Sequence, residues 1–424
     1  MDSDQLAPIT RRDFVKTAAA ASAAVAVGGR LGVFAQGSDA IRVGVIGCGG
    51  RGTGAAINCM QAAPGVEVVA MGDLFADRIE SSLARLTREF PGRVKVQKDR
   101  QFSGFDNYKG VCACPEVNLI VTAAPPGFRP IHLAAAVEAG KHVFMEKPVA
   151  VDPVGVRSVI ASSEAARHKG LAIVAGTQRR HQQHYVEMMK RVHDGQIGEI
   201  VSAQCYWNQG DLWVKDRTPG MSDMEWQCRN WLYFTWLSGD HIVEQHVRNI
   251  DVVNWALGSV PESVMGMGGR QVRVGPQFGN IFDHFAVEYE YPNGVRVMSM
   301  CRQTKGCAER VDERIVGTKG VAWGTGKITG PSPWTFEGKE TDPYVQEHVD
   351  LIASIRNGTP LNEGRQVAES TMSAIIGRMS AYTGREISWK WAMESSCLDL
   401  RPARYEFGPN PVDPVAVPGF TPLV

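Results

Sequence analysis

Beyond its first 36 residues the sequence lacks any apolar run approaching the roughly 20 residues that a bilayer-crossing helix needs, which excludes a later membrane span. It also lacks an excess of charge: 45 Lys and Arg face 45 Asp and Glu. That balance excludes a partner held mainly by electrostatics, such as nucleic acid or an anionic membrane surface. No CxxC pair occurs among its nine cysteines, and "CAC" at Cys112 to Cys114 is the only close pair. A zinc site of the ribbon or finger type needs such pairs at set spacing. No internal repeat is evident.

What is present begins with a leader. Arg11 and Arg12 precede Phe14, Lys16 and a mild Ala/Val run from Thr17 to Val27. A twin Arg before a short apolar segment is the form of a twin-arginine export signal. "VFAQG" (Val33 to Gly37) offers small residues for cleavage after Ala35. Residues 1–36 are therefore read as a signal peptide that sends the folded protein to the periplasm. Removing its four basic and three acidic residues leaves the rest near −1. Folding before export means folding in a reducing compartment, so the cysteines are expected to be mainly free, buried thiols. Export in the folded state suits a protein that takes up a cofactor first.

The segment after the leader has the form of a phosphate cradle. Ile41 to Ile46 is a compact β-branched run, the mark of a buried parallel strand. Gly47, Gly49 and Gly52 then form G-x-G-x-x-G, "GCGGRG" from Gly47 to Gly52 with Cys48, Gly50 and Arg51 between them. Such glycines allow a tight turn and let backbone N–H groups approach a pyrophosphate at a helix start. A second strand, "VEVVAMGD", ends at Asp73, 21 positions after Gly52. That is close to the spacing of about 20 for an acid that binds the adenosine ribose. A carboxylate accepts ribose hydroxyls and repels a 2′-phosphate, so Asp73 favours NAD over NADP. Further strands are expected within "NLIVTAAPP" (Asn118 to Pro126), "KHVFMEKP" (Lys141 to Pro148) and "LAIVAGT" (Leu171 to Thr177), with helical patterns between them. Alternation of this kind gives a doubly wound α/β fold, a Rossmann parallel sheet with ligands at its carboxyl edge.

Together the glycine turn, the strand ending in Asp73, the strand end at Pro125 with His132 behind it, and "EKP" at Glu146 to Pro148 resemble the Gfo/Idh/MocA oxidoreductases. The resemblance covers nearly all of the chain after the leader. It implies a Rossmann domain over 40–175 and a C-terminal α/β domain over 176–400, built on a large open, mainly antiparallel sheet. Residues 401–424 would form an extended Pro-rich tail. It implies NAD as cofactor, held by Gly47 to Gly52, Asp73, Pro125, His132, Glu146 and Lys147. It implies hydride transfer between nicotinamide and a sugar, polyol or glycoside, and a homodimer or homotetramer closed over the open sheet face. "DHFAVEYEYPNGVRVMSMCRQ" reads independently as a hairpin turning at Asn293-Gly294 in a type I′ turn.

Lys147 is the expected proton carrier, since oxidation of a secondary alcohol needs a base for the hydroxyl proton. The second cluster is "SGDHIVEQHVRNIDVVNWALG" (Ser238 to Gly258). The family often has Asp and His one helical turn apart here. Aligned on Asp251, Glu244 takes the place of the Asp and Arg248 that of the His. Arginine is no base at neutral pH, so His246, ranked above His241, is the expected imidazole, with Glu244 beside it. Glu244 and Arg248 could pair at i, i+4. Arg179, Arg180, His181, Trp207, Asn208, Arg229, Trp231, His241 and Arg248 are the candidate substrate contacts. His181, His184, His241, His246 and Glu244 raise a zinc reading, but their spacing is unconstrained and nicotinamide chemistry needs no metal, so none is assigned. Two rival functions stay open. One is a redox-neutral enzyme that cleaves or epimerises sugars with a recycled NAD; the other is a non-catalytic sugar-binding protein.

Overall fold

Two sheets organise the protein, whose computed structural model describes residues 40–424. The leader and its cleavage point lie outside the described residues. In the first sheet β1 (Ile41–Ile46), β2 (Val66–Asp73), β3 (Gln101–Ser103), β4 (Leu119–Thr122), β5 (His142–Met145) and β6 (Ile173–Ala175) are all parallel. Their order is β3-β2-β1-β4-β5-β6. Every residue of β4 and β5 is buried, which is why these strands read as continuous apolar runs rather than alternating ones. The order reverses between β1 and β4, and a crevice opens there at the carboxyl edge.

The second sheet has nine strands. They are β7 (Ile200–Gln209), β8 (Ser263–Gly269), β9 (His284–Tyr291), β10 (Val295–Gln303), β11 (Arg310–Gly317), β12 (Val321–Trp323), β13 (Lys327–Thr329), β14 (Trp334–Thr335) and β15 (Ile387–Ser388). Their order is β14-β13-β12-β11-β7-β10-β9-β8-β15, and only the β7–β10 pair is parallel. Period-two alternation decides which face is inward. On β10, Val295, Val297, Ser299 and Cys301 are buried while Met298 and Met300 are exposed. The β9–β10 turn departs from the two-residue form. Asn293 and Gly294 do have positive φ, 65° and 72°, but Pro292 adds a third loop residue and Tyr291 pairs with Val295.

The helix Gly364–Thr383 is buried almost all round, and its many small residues (Gly, Ala, Ser, Thr) let its neighbours pack closely. It packs on the helix Pro153–His168 and on β8, joining the two layers. Residues after the second sheet also return to the first. The helix Pro343–Arg356 lies on the helix Gly50–Ala62, and Ile173 donates its N–H to Leu361 at 2.8 Å. All nine cysteines are free, seven of them buried. The tail forms no helix or strand after Glu394. It is tied down by Leu400 N–H to Asp152 (2.8 Å), Asn410 Nδ2 to Gln227 Oε1 (2.9 Å) and Gly419 N–H to Thr383 O (2.9 Å).

Candidate active site

The glycine turn joins β1 to the helix Gly50–Ala62, and its demands are steric. Gly47 has φ +89°, and a Cβ there would lie 2.4 Å from Ala124 N. A Cβ on Gly52 would lie 1.7 Å from Gly47 O. Both glycines are fixed by the chain's own packing. Gly49 differs: a Cβ there would meet no backbone atom, only Arg78 Nη1 at 3.4 Å, and would project into a cleft of about 690 Å³. The protein does not need that space, and a diphosphate on the helix N-terminus would use it. Gly47 to Arg51, Asp73, Pro125 and His132 all line this cleft.

Asp73 is buried, and both its oxygens already accept backbone donors: Cys48 N–H at 2.6 Å and Phe75 N–H at 2.9 Å. Burial raises its pKa, against those two bonds and the charge of Arg78. The carboxylate thereby holds the turn at Cys48 while facing the cleft. His132 stacks on Phe128 (5.9 Å, 9°), and burial lowers its pKa to about 3, so it is neutral. The residues that line the far wall were not legible beforehand. Phe75 lies between two guanidinium groups, Arg229 at 3.8 Å and Arg78 at 5.3 Å from its ring centre. Phe105, Phe128, Trp213 and Lys215 complete the wall. Arg229 and Trp231, expected at the substrate, belong to this cleft instead. Arg229 pairs with Asp77 (3.3 Å) and Glu225 (3.1 Å) because the stretch 210–234 folds over the first sheet. Only Arg78 had a readable signal, a basic residue just past the acid that ends β2.

Past the cleft wall, Arg51 turns inward to Glu146 and to Glu347 (3.2 Å), with its guanidinium over Tyr344. Arg51 is thus a tie between the glycine turn and β5 rather than a free phosphate ligand. Glu146 N–H donates to Thr122 O (3.0 Å), which registers the ends of β4 and β5. Burial would raise the Glu146 pKa, but Arg51 and Lys147 outweigh it and hold it low. Lys147 and Glu146 do not line the cleft themselves. Lys147 Nζ donates to Glu244 Oε1 at 2.8 Å and also to Glu244 O. Both side chains are buried. Burial first, then the Arg248 charge, lowers the Lys147 pKa to about 8, while Glu244 works the other way.

Glu244 comes from a single helical turn, His241–Glu244, which breaks at Gln245 before the helix Val247–Leu257. Asp240 sets that turn. It has φ 76°, unusual for a residue with a Cβ, and its carboxylate accepts His241 N–H, Phe282 N–H and the Tyr382 hydroxyl. The break changes the histidine ranking. His246 is fully buried, with Nε2 2.7 Å from Ser299 Oγ and 3.7 Å from Cys205 Sγ, against the face of the paired strands β7 and β10 and not at Lys147. Burial lowers its pKa to about 3. His241 is the imidazole beside Glu244 and Lys147, whose charges act on it. Its Nε2 reaches Trp207 O (3.3 Å), and its Nδ1 is 2.6 Å from Gln303 Nε2. Since a carbonyl only accepts, Nε2 carries the proton and Nδ1 accepts from Gln303. Burial lowers the His241 pKa to about 4. Both of its nitrogens are therefore occupied, and Gln303, a residue with no sequence signal, fixes the tautomer.

The remaining candidates separate. Arg248 donates to Gln245 Oε1 (2.7 Å) and lies 5.3 Å over the Trp207 ring, so it does not pair with Glu244. Arg179 pairs with Glu313 and lies 5.8 Å from the same ring. Trp207 therefore joins the Lys147 centre, whereas Arg180 and His181 do not. Arg180 grips Asp251 at 2.8 and 3.0 Å, beneath Trp255. His181 sits between Asp350 (2.6 Å) and Glu363 (3.2 Å); burial opposes its charge, but those carboxylates raise its pKa to about 10. Asn208 follows Trp207 on β7, opposite Arg302 and Arg310. Among the described residues no group of three or more His, Cys, Asp or Glu converges as a metal site.

Two sequence-family profiles cover most of the folded part. "Oxidoreductase family, NAD-binding Rossmann fold" matches residues 41–177, and "GFO/IDH/MocA C-terminal domain" matches 185–323. This chain belongs to the Gfo/Idh/MocA oxidoreductase family. A twin-arginine translocation signal matches residues 8–28, which implies export by that route. Among similar proteins, inositol 2-dehydrogenase 3 of Saccharopolyspora erythraea is 28% identical over 61% of this chain and 65% of its own length. The 2,7-anhydro-N-acetylneuraminate hydratase of Escherichia coli is 28% identical over 47% and 49%. The chain thus spans between half and two thirds of these curated relatives. Among solved structures, scyllo-inositol dehydrogenase from Lactobacillus casei shares the fold at TM-score 0.63 and 17% identity, over 82% of this chain and 98% of that one. Aldose-aldose oxidoreductase from Caulobacter crescentus does so at TM-score 0.63 and 17%, over 82% and 99%. This Gfo/Idh/MocA protein therefore has an NAD-binding Rossmann domain and a second domain of the family's mixed, mostly antiparallel type.

Proposed function

We propose that the protein is a periplasmic NAD-dependent oxidoreductase that acts on a CH–OH group of a sugar, polyol or glycoside. The observation that carries this is the buried Lys147–Glu244 pair, next in sequence to Glu146, which pairs with Arg51 of the cleft that holds the glycine turn. The free N–H groups at the start of the helix Gly50–Ala62 would hold the diphosphate, and Asp73 would hold the ribose. When bound, the nicotinamide supplies the hydride acceptor or donor. Lys147 supplies the proton acceptor. With a pKa near 8 its amine is partly neutral at physiological pH, and it takes the hydroxyl proton on Nζ. Glu244 orients that amine and, as a carboxylate, stabilises the ammonium it becomes. His241 orients Trp207 and Gln303 and takes no proton. Asp73 favours NAD over NADP by repelling a 2′-phosphate.

Two measurements test this reading. The nucleotide released from the native protein should be NAD(H). A panel of sugars and polyols should contain one that changes the nicotinamide absorbance. Protein without nucleotide and without such a change would refute it. A second reading has support from relatives: besides the hydratase, a glycosyl hydrolase family 109 protein of Saccharopolyspora erythraea is 24% identical over 47% of this chain. A recycled NAD could serve a redox-neutral reaction at the same Lys147. Many turnovers without added nucleotide would favour that route, and a stop after one equivalent would favour the dehydrogenase.

A homo-oligomer is the further part of this proposal, and the outer face of the second sheet supports it. Met265 and Met267 on β8 and Met298 and Met300 on β10 are exposed there on either side of β9. An apolar patch of this kind favours a second copy. The native mass should be that of a dimer or tetramer, and Met267→Glu should lower it.

A further inference from the structure

Of the cations around Lys147, Arg129 and Arg248 lack a carboxylate, and Arg129 donates instead to the carbonyls of Thr122 (2.9 Å) and Pro148 (3.5 Å). Lys147 has Glu244, Arg51 has Glu146 and Glu347, and Arg179 has Glu313. Arg248 has no carboxylate within ion-pair distance among the described residues. Its Nη1 gives one bond to the neutral Gln245 Oε1 (2.7 Å), and its Nε is buried with no partner. Glu244 Oε2, on a carboxylate that feels the Arg248 charge, and Gln303 Oε1, on the partner of His241, are also buried with no hydrogen-bond partner. Trp207 lies 5.3 Å from the Arg248 guanidinium.

We infer that the substrate is a sugar acid, whose carboxylate Arg248 binds while Glu244 Oε2 and Gln303 Oε1 accept its hydroxyls over Trp207. The inference rests on the reading of Lys147 as the reacting centre. A guanidinium fork matches a carboxylate with two parallel bonds, which a hydroxyl cannot do. The dinucleotide's own diphosphate is already provided for at the glycine turn, in a cleft that Arg248 does not line. The same Arg248 charge acts on Lys147, so binding the substrate anion would also adjust the proton acceptor.

The test uses the full-length purified protein with its bound nucleotide. Calorimetry compares D-glucuronate, D-galacturonate and D-gluconate with D-glucose and myo-inositol. At least one acid should bind on the order of 10–100-fold more tightly than its neutral counterpart, the range of a charge-assisted pair. Added salt should weaken only the acid. Arg248→Gln should erase the preference for the acid over its neutral counterpart; Arg248→Lys, which keeps the charge without the fork, should fall between. Unchanged melting temperatures would show that both variants fold. Equal binding of acids and neutral sugars, no binding of any acid, or full acid affinity in Arg248→Gln would overturn the inference. Arg248-dependent acid binding with no change in nicotinamide absorbance would leave it standing and count against the redox reading.

Discussion

Lys147 Nζ lies 2.8 Å from Glu244 Oε1 although the two residues come from different layers of the fold, 97 positions apart in sequence. A buried pair of this kind is held by each partner's need for the other. Glu244 raises the Lys147 pKa, whereas burial and Arg248 lower it. Glu244→Gln keeps the shape and removes the charge, so the Lys147 pKa should fall below 8. The acid limb of kcat/KM for alcohol oxidation, which rises as Lys147 loses its proton, should move to lower pH by ~1 unit. Arg248→Gln should move it to higher pH. A pH profile of each variant checks both directions.

The two ends of the glycine motif should respond differently to a methyl group. Gly52→Ala puts a Cβ 1.7 Å from Gly47 O and must displace the turn. Its cost should be about 2–4 kcal/mol of stability, the scale of core overpacking. Gly49→Ala meets no backbone and should leave the melting temperature within a degree or two of the parent, while weakening NAD by roughly tenfold or more. Thermal melts with and without NAD separate the two.

Cofactor choice should turn on Asp73. In Asp73→Ser the repulsion of a 2′-phosphate is gone, and Arg78 and Arg229 remain on the same wall. NADP affinity should rise relative to NAD by about 10–100-fold. Direct titration with both nucleotides measures the ratio. An unchanged ratio would remove Asp73 from the ribose site.

His246 should act on stability and not on chemistry. Its pKa is about 3 when folded and near 6.5 when unfolded. Between those values the unfolded chain binds a proton that the folded one refuses. This stability is therefore present above pH 6.5 and is lost as pH falls toward 3, at ~1.4 kcal/mol per pH unit. His246→Gln lacks that slope. Denaturant melts at several pH values should show the parent's advantage over the variant shrinking with acid, and turnover at neutral pH should persist.

The parts legible in the sequence were those fixed by neighbours in sequence. β1, the glycine turn and Asp73 announce themselves because one strand, one turn and one strand end build most of that cradle. The β9–β10 hairpin was legible for the same reason, although Pro292 lengthened its loop. What stayed hidden depends on tertiary packing. His246 was ranked above His241; the break at Gln245, held by Asp240, set His246 against Ser299 and Cys205 and left His241 at Lys147. Arg229 and Trp231 were read with Trp207 as substrate contacts. The fold-back of residues 210–234 carries them to Phe75 and Asp77. Gln303 had no pattern of its own, and only the pairing of β10 with β7 brings it to His241.

The central claim is that Lys147 takes the substrate proton, and Lys147→Met tests it most directly, since Met keeps the length and apolar stem without the amine. The variant should retain NAD with unchanged stoichiometry and lose turnover by about 10²–10⁴-fold, the usual contribution of a positioned acid or base. Turnover within a few-fold of the parent, with NAD still bound, would contradict the account.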